Sequence, residues 1–399
     1  MVIPPLDGLQ LIEGSAFVAA PSGGMTLAQL GADVIRFDQI GGGLDHKRWP
    51  LTDAGESIYW AGLNKGKRSI QVDLRSPAAR ELLTELIARA GTFLTNFPPR
   101  GWRAPHTLRE RRSDLVMLAF MGNRDGSTAL DYTVNCALGY PAATGPVGDD
   151  TPVNHGLPAW DLVCGQTAAL GSLAADRHRL RTGEGSTMSL ALSDVALAAV
   201  AALGHIGEAQ VNGTQRERYG NDLYGAYGRD FVTADGERVY AVGISPKQWS
   251  SLLEATDAVE PVDGIAAAGG YDFRDEGDRF RARDEIGAAS APWIAARPLA
   301  EVAARFDELG VCWGRYQTFL ELVAEDPRVR PEAGLFRSVV QPAIVTYLSP
   351  GSPRAFDGAS PVEPGAAPAL GEHTDEILAG ELGLSETEIG RLHDEGTVA

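Results

Sequence analysis

A single aspartate, Asp161, interrupts an otherwise apolar run at residues 157–165. Pro158 suits the first turn of a helix, so Asp161 falls at or near a helix start, where free N–H groups and the macrodipole favour an anion. A carboxylate held there among neighbours that exclude water could act as a covalent nucleophile. The same position also suits a residue that only caps the helix, and the local pattern leaves both roles open.

Other polar side chains lie close enough in sequence to join such a site. His155 comes six residues before Asp161, and Asp131 and Tyr132 open the segment that leads to it. Histidine can transfer protons near neutral pH, but a lone histidine is also a common structural residue. These three side chains are therefore candidate substrate contacts, with the catalytic and the structural role of His155 both open.

A second group of candidates lies at residues 220–228, between two segments of different pattern. This stretch is rich in glycine and tyrosine, and its aromatic content is unusual for a simple linker. It could be a hinge. It could also cover a bound ligand through hydrogen bonds from Asn221 and Tyr224.

Composition narrows the class of protein. The chain has 399 residues, 44% hydrophobic and 22% charged, which is typical of a soluble globular protein with room for two domains. Its net charge of −18 and pI near 4.8 argue against nucleic-acid binding, and an anionic ligand would need a locally basic site. Three widely spaced cysteines fit reduced thiols, and no Cys/His spacing predicts a zinc site, so no metal is expected.

No segment resembles a membrane span or a secretion signal. The N-terminal residues lack the basic and apolar regions of a signal peptide. The longest apolar run, residues 195–203, is far shorter than the roughly 20 residues that cross a bilayer. We therefore expect a cytoplasmic protein without a membrane partner.

The first ~190 residues alternate between strand-like and helix-like patterns, which predicts an α/β fold with a largely parallel sheet. The first strand–helix junction, residues 14–21, and the triple glycine at residues 41–43 both lack the G-x-G-x-x-G fingerprint of dinucleotide-binding enzymes. The predicted strands are 9–13, 33–38, 69–74, 92–96 and 115–120, with helices at 24–31 and from Pro77 to Gly91.

The middle of the chain has a different pattern. An Asp-Gly turn at Asp235 and Gly236 joins two alternating segments, as in a β-hairpin, and helical segments follow. Residues 220–322 are therefore predicted to form a small α+β domain. Residues 1–210 and 325–399 are predicted to form a large Rossmann-like domain.

Several motifs taken together resemble the class III CoA-transferases, the CaiB/BaiF family. They include Arg-Thr-Gly-x-Gly at 181–185 and Gly-Glu-His-Thr-Asp at 371–375, and the resemblance runs from about Leu6 to the C-terminus. It implies that Asp161 is the covalent nucleophile and that the substrate is a CoA thioester. It also implies a Rossmann-like large domain with a small inserted domain, in two chains interlocked as a homodimer.

The resemblance also assigns a CoA site. The basic stretch at residues 64–69 leads into a strand that lies along CoA in the family, although it could equally be a solvated turn. Gln39 stands where several members carry a basic residue, so the resemblance does not imply a phosphate contact at this position. The residues implied to bind CoA are Val18, Val72, Asp73, Leu74, Arg75, Asn96, Phe97, Arg100 and Arg103.

Two branches of the family differ in chemistry. The racemase branch carries a histidine at the position of Leu130, and leucine cannot transfer a proton, which disfavours racemisation. The resemblance thus implies CoA transfer through an aspartyl-CoA thioester. Stretches such as residues 13–21 and 60–69 favour transfer between the two carboxyls of one unsaturated C5 diacid. The alternatives are transfer between molecules, 2-methylacyl-CoA racemisation and, from another class, a non-catalytic acyl-CoA-binding protein.

Overall fold

A computed structural model describes residues 3–360 and 362–399. The chain divides into two compact units. The larger comprises the described residues of Met1–Leu138, His155–Asn212 and Pro327–Ala399, and the smaller comprises Gly139–Asn154 and Gly213–Asp326. The sequence pattern assigns residues 139–154 to the large domain, but in the structure they group with the small unit. Arg218 holds them there by donating hydrogen bonds to the backbone oxygens of Pro141, Ala142 and Asp149.

A six-stranded sheet forms the centre of the larger unit, and every neighbouring pair of its strands is parallel. This confirms the predicted α/β class with a parallel sheet. The strand order is β3-β2-β1-β4-β5-β6, the order of doubly wound Rossmann sheets. The strands are β1 Gln10–Gly14, β2 Asp33–Gln39, β3 Arg68–Val72, β4 Thr92–Thr95, β5 Val116–Met121 and β6 Ser186–Ala191.

Helices flank this sheet, and a separate hairpin of two strands follows later in the unit. The helices are α1 Ala19–Ala28, α2 Ile58–Leu63, α3 Pro77–Ala90, α4 Pro105–Arg111, α5 Asp131–Cys136, α7 Ala159–Thr182, α8 Leu192–Ala202, α9 His205–Asn212, α16 Thr374–Gly380 and α17 Glu386–Asp394. Short 3-10 turns lie at Gly101–Arg103, Pro327–Val329 and Pro331–Ala333, and the hairpin pairs β10 Phe336–Val340 with β11 Thr346–Pro350.

Helix α3, which packs against the sheet, has both ends set by its local sequence. Ser76 caps it by accepting a hydrogen bond from the Ala79 N–H, and Pro77 occupies the first turn. Gly91 ends it in the left-handed conformation at φ 72°. The apolar face that this spacing predicts is buried against the sheet and includes Leu83, Leu86 and Ile87.

The start of α1 differs from the prediction. The sequence predicts a helix at 24–31, but α1 begins at Ala19 and runs through Pro-Ser-Gly-Gly. Those glycines are used for close packing rather than for a turn. A Cβ on Gly165 of α7 would lie 2.1 Å from Ser22 Oγ, and one on Gly23 would lie 3.0 Å from the Gly165 backbone oxygen. The small residues therefore let α1 and α7 approach closely, which fixes the start of α7 beside the start of α1.

A cluster of buried charged side chains lies next to the end of β1 and consists of Glu13, Arg36, Asp38, Asp45 and Lys67. Arg36 is fully buried and pairs with Asp38 at 2.8 Å and with Asp45 at 3.0 Å. Lys67 is also buried and lies 2.8 Å from Glu13. The basic stretch at 64–69 is therefore not a solvated turn here, because Lys67 is one of the internal cations. Buried charges of this kind are tolerated when they are paired and hydrogen-bonded.

The smaller unit has its own antiparallel sheet and core. The hairpin predicted around the Asp-Gly turn is present, and the sheet order is β7-β8-β9. Its apolar core includes Tyr227, Leu252, Ile286 and Phe306. The elements are α6 Tyr140–Ala143, β7 Gly228–Val232, β8 Arg238–Val242, α10 Pro246–Ala255, α11 Val259–Gly269, α12 Glu276–Arg281, α13 Arg283–Ala295, α14 Leu299–Leu309, β9 Cys312–Arg315 and α15 Phe319–Glu325.

The described helices were compared with the length and hydropathy that crossing a bilayer requires. Within residues 3–360 and 362–399, no single helix is both long and apolar enough to cross a bilayer. The pair α8 and α9, bent by 62°, passes by length and composition alone.

Candidate active site

A cavity of about 560 Å³ opens at the carboxyl ends of the central strands. Its wall is built from residues 15–19 after β1, 38–39 at the end of β2, 96–98 after β4 and 120–122 at the end of β5. Strand order reverses between β1 and β4, and the crevice at such a switch point is where open α/β sheets bind ligands.

Asp161 lies in the first turn of α7 and lines this cavity. Over residues 3–360 and 362–399 its carboxylate accepts no hydrogen bond. A capping side chain would accept one from a first-turn N–H, and the residue at the cap position is Pro158. Asp161 therefore does not cap α7 through its side chain, and its role as a nucleophile stays a prediction.

The environment of Asp161 disfavours its charged form. Burial and, next, the negative charge of Asp131 raise the pKa of Asp161 to about 7, while the positive charge of Arg48 acts in the opposite direction. The carboxylate is therefore partly protonated at neutral pH. An ion that is poorly solvated in this way is a stronger nucleophile than one in water.

Asp131 links the candidate residues to one another. Its side chain is 2% exposed, and its Oδ2 accepts a 2.9 Å hydrogen bond from the Asp161 backbone N–H. Its Oδ1 lies 2.5 Å from His155 Nε2, and the His155 ring meets Tyr132 edge-on with 5.8 Å between ring centroids. The structure thus brings Asp131, Tyr132 and His155 together beside Asp161. Their role in binding substrate stays a prediction.

The loop between β1 and α1 also lines the cavity. Phe17 adopts φ 69°, a left-handed conformation that is uncommon for a bulky residue and is often found at functional sites. Two hydrogen bonds between Ala16 and Asn96, at 3.0 and 2.7 Å, fasten the loop to the end of β4. The Phe17 N–H donates to Asp45 at 3.2 Å, which ties the loop to the buried charge cluster.

Sequence reasoning missed two residues near Asp161. The Arg48 guanidinium lies over the Phe17 ring and the Tyr59 ring, with 5.6 and 5.4 Å to their centroids. No local spacing connects these positions to Asp161. The one sequence signal was that Tyr59 directly precedes residues 60–69, a stretch that carries the family resemblance.

Cys164 follows Asp161 by almost one helical turn and also lines the cavity. Burial and, next, the negative charge of Asp161 raise the pKa of the Cys164 thiol to about 12. The thiol therefore stays protonated at neutral pH and does not compete with Asp161 as a nucleophile.

The residues implied to bind CoA fall into two groups. Leu74 and Arg103 line the cavity, as do Val18, Asn96 and Phe97. The other four lie outside its lining: Val72 is fully buried, Asp73 and Arg75 form a surface ion pair, and Arg100 is exposed. Gln39, in place of a basic residue, lines the cavity and donates to the Gly42 backbone oxygen at 2.9 Å. Contact of these residues with CoA stays a prediction.

Asn221 and Tyr224 belong to the smaller unit. Within it, Tyr224 packs against Tyr219 and Phe280, with ring centroids 5.3 Å away in each case. The segment leads directly into β7, so it is an ordered part of that unit. The predicted contacts of Asn221 and Tyr224 with substrate remain predictions.

The groups that could hold a metal ion or an anion were identified from the side chains and the cavity lining. In the part of the chain that the structure describes, no group of three or more His, Cys, Asp or Glu side chains could hold a metal ion. The cavity lining contains the carboxyl groups of Asp161 and Asp38, the latter paired with Arg36, together with apolar side chains and the N-terminal turn of α1, which begins at Ala19. The free N–H groups of such a turn favour an anionic group.

Comparison with known proteins decides the family. Residues 6–374 match the family model described as CoA-transferase family III. The chain belongs to CoA-transferase family III. It is therefore a class III CoA-transferase that acts on CoA thioesters, and the family resemblance found in the motifs is confirmed.

Relatives of this CoA-transferase span nearly its whole length. A 2-methylfumaryl-CoA isomerase from Chloroflexus aurantiacus is 56% identical, over 99% of this chain and 98% of the relative. A succinyl-CoA–D-citramalate CoA-transferase from the same organism is 27% identical, over 97% and 96% of the two chains. A formyl-CoA:oxalate CoA-transferase from Rhodopseudomonas palustris is 28% identical, over 98% and 97%.

A solved structure shares the fold of this CoA-transferase. The crystal structure of a CaiB/BaiF family protein from Brucella suis superposes with a TM-score of 0.77 at 23% identity. The match covers 94% of this chain and 99% of the other. At this level of identity, the likeness shows the fold alone.

Proposed function

We propose that this class III CoA-transferase moves CoA between the two carboxyl groups of one unsaturated C5 diacid, converting mesaconyl-C1-CoA to mesaconyl-C4-CoA. The observation that carries the proposal is the Asp161 carboxylate, which lines the cavity and accepts no hydrogen bond from residues 3–360 and 362–399. The 56% identity to a 2-methylfumaryl-CoA isomerase supports the choice of substrate.

The first half of the reaction transfers CoA to the enzyme. An Asp161 oxygen attacks the C1 thioester carbonyl, the C–S bond breaks, and CoA leaves as its thiolate. The product is a mixed anhydride between Asp161 and the acyl group. The thiolate then attacks the Asp161 carbonyl and expels the C1 carboxylate, leaving an aspartyl-CoA thioester and the free diacid. Holding both parts in one cavity makes each step effectively unimolecular.

The second half repeats these steps with the other end of the diacid. The C4 carboxylate attacks the aspartyl thioester and expels CoA thiolate, which forms a second anhydride. The thiolate attacks the C4 carbonyl, and Asp161 leaves as a carboxylate. No proton, electron or water is consumed, so the net reaction is an isomerisation of the thioester.

Developing negative charge on the carbonyl oxygens needs hydrogen-bond donors. The first-turn N–H groups of α1, at Ala19 in the cavity wall, are well placed because α1 and α7 pack closely there. Asp131 holds the Asp161 backbone by their hydrogen bond. We assign Asp131 as a positioning residue and Asp161 as the catalytic nucleophile.

The test is direct assay of the purified protein with a panel of CoA thioesters. Mesaconyl-C1-CoA is expected to give the C4 thioester by chromatography and mass spectrometry, and labelled free mesaconate is expected to stay out of the product. Label in the product would instead indicate transfer between molecules. Deuterium uptake at C2 of a 2-methylacyl-CoA would indicate racemisation, which is disfavoured because Leu130, not an imidazole, lines the cavity.

The interlocked homodimer that the family resemblance implies is part of this proposal. Light scattering coupled to size-exclusion chromatography is expected to give twice the chain mass of 42.3 kDa. A mass equal to that of one chain at assay concentration would contradict it.

A further inference from the structure

Arg48 lies at the edge of the Asp161 site. Its guanidinium lies over the Phe17 ring and the Tyr59 ring. Phe17 lines the same cavity as Asp161, and the charge of Arg48 acts on the Asp161 carboxylate. Arg48 is therefore close enough to reach a ligand that reacts at Asp161.

The guanidinium of Arg48 is free to bind an anion. Its side chain is exposed, and across the two described ranges it forms no ion pair and donates no hydrogen bond. Arg36, by contrast, is satisfied internally by Asp38 and Asp45. In a chain of net charge −18, an unpaired arginine beside a catalytic carboxylate is well suited to an external carboxylate, which guanidinium groups bind through two parallel hydrogen bonds.

The backbone around Arg48 is fixed before any ligand binds. Ser57 caps α2 by accepting a 3.0 Å hydrogen bond from the Trp60 N–H, and its hydroxyl donates to the Arg48 backbone oxygen at 2.6 Å. Tyr59 lies in the first turn of that same helix. The backbone of Arg48 and the turn that carries Tyr59 are therefore held together before a ligand binds, which lowers the entropic cost of binding there.

Tyr59 adds a neutral donor beside the cation. Its hydroxyl forms no hydrogen bond within residues 3–360 and 362–399. Burial raises the pKa of Tyr59 to about 12, and although Arg48 lowers it, the charges of Asp161 and Asp45 add to the increase. The hydroxyl therefore stays protonated at neutral pH and can donate to a carboxylate.

We infer that Arg48 and Tyr59 bind the free carboxylate of a dicarboxylic acyl-CoA while its other carboxyl group reacts at Asp161. The inference rests on the proposed function and deepens it by naming the two residues that bind the carboxylate not engaged at Asp161. After CoA has moved to Asp161, the diacid is a dianion. Arg48 retains it by holding one end, and the ends exchange places before CoA returns.

The experiment compares two ligands that differ only at the distal group. Mesaconyl-C1-CoA carries a carboxylate there, and 2-methylbut-2-enoyl-CoA carries a methyl group. Their dissociation constants are measured by calorimetry in the Asp161→Asn background, where no ligand is consumed. The variants are Arg48→Met, Arg48→Lys and Tyr59→Phe. The control is Arg111→Met, which removes a surface partner of Glu81.

The inference predicts a loss of preference, not a general loss of binding. Arg48→Met is expected to weaken binding of the diacid thioester roughly 10- to 100-fold and that of the methyl analogue less than about 2-fold. Arg48→Lys is expected to fall between, because lysine keeps the charge but not the planar fork. Tyr59→Phe is expected to cost the diacid alone about 5-fold. Arg111→Met is expected to change neither.

Two results would overturn the inference. One is an Arg48→Met protein that keeps the full preference for the diacid thioester. The other is equal weakening for both ligands in Arg48→Met and in Tyr59→Phe. Turnover of the wild-type protein, assayed separately, tests the proposed function. Isomerisation of mesaconyl-C1-CoA without an Arg48-dependent preference for the diacid thioester would contradict the inference alone. That preference without isomerisation would contradict the proposed function alone.

Discussion

The backbone N–H of Asp161 donates a 2.9 Å hydrogen bond to the side chain of Asp131, so Asp131 both holds the Asp161 backbone and repels the charge of the Asp161 carboxylate. Burial of Asp161 and, next, the negative charge of Asp131 both disfavour ionisation of the Asp161 carboxyl group. The other oxygen of Asp131 lies 2.5 Å from His155 Nε2. The hydrogen bond and the charge of Asp131 therefore act on Asp161 together.

The rate of CoA transfer should therefore depend on pH. Asp161 must be ionised to attack, and its pKa is raised to about 7, so activity is expected to rise with pH through about pH 7. In Asp131→Asn, the repulsion is gone and the rise is expected at lower pH, with a lower maximum because the anchor is altered. Asp194→Asn, which removes a surface partner of Arg124, serves as the control. Identical profiles for wild type and Asp131→Asn would show that Asp131 has no such effect.

Replacing Asp161 should stabilise the fold above neutral pH. Its folded-state pKa of about 7 lies above the unfolded value near 3.9, so ionisation costs the folded state stability. The cost is absent below about pH 4, grows between pH 4 and 7, and is constant above. Asp161→Asn is expected to gain about 1–3 kcal/mol at pH 8 and nothing at pH 4. Urea unfolding at the two pH values measures this, and an equal gain at both would contradict it.

The contact between α1 and α7 should be intolerant of a single methyl group. In Gly165→Ala, the added Cβ would lie 2.1 Å from Ser22 Oγ and 2.7 Å from the Ala19 oxygen. We expect a loss of about 1–3 kcal/mol in unfolding free energy and reduced activity, since both helices border the cavity. Gly390→Ala in α17 has nothing within 4 Å and is expected to gain about 0.5–1 kcal/mol. Equal stability changes in the two variants would contradict the close packing.

CoA binding should depend on Arg103 more than on Arg75. Arg103 lines the cavity, and burial followed by the charge of Arg100 lowers its pKa, as expected for a cation without a carboxylate partner. Arg75 is 91% exposed and already paired with Asp73. Arg103→Met is expected to weaken CoA binding roughly 10-fold and to reduce its salt dependence, and Arg75→Met less than about 2-fold. The reverse order would place the phosphates along β3.

The sequence predicted the bounds of an element correctly where capping residues within that element set its ends. Ser76, Pro77 and Gly91 define α3 without tertiary context, and the strand–helix alternation predicts the parallel sheet. Alpha1 was mispredicted because Gly23 and Gly24 read locally as a break. In the structure these two glycines allow close approach to Gly165 of α7 and to Glu13. Helix propensity does not include such contacts.

Part of the candidate site could be predicted from the sequence. Asp161 is visible as a lone carboxylate at a helix start, and Asp131, Tyr132 and His155, which the structure places beside it, were candidates because they lie within about 30 residues of it. Arg48 and Tyr59 were missed because they lie more than 100 residues from Asp161 and no local spacing links them to it. The buried pair of Lys67 with Glu13 likewise joins residues 54 apart, so a basic stretch that looks solvated is internal.

The oxygen atoms of the substrate report on covalent chemistry at Asp161. In the proposed sequence, the C4 carboxylate attacks the aspartyl thioester and leaves one of its oxygens on Asp161 when the second anhydride is cleaved. Mesaconyl-C1-CoA labelled with ¹⁸O in its C4 carboxylate should therefore transfer label to the enzyme, with no oxygen drawn from water.

The decisive measurement is a single turnover of this labelled substrate with excess enzyme, followed by peptide mass spectrometry. We predict one ¹⁸O on the peptide that contains Asp161 and a C4 thioester product that keeps one ¹⁸O. The control protein, Cys164→Ala, is expected to carry the same single label at Asp161 and no other. A C4 thioester formed with Asp161 unlabelled, or with oxygen from solvent in the product, would contradict covalent CoA transfer through Asp161.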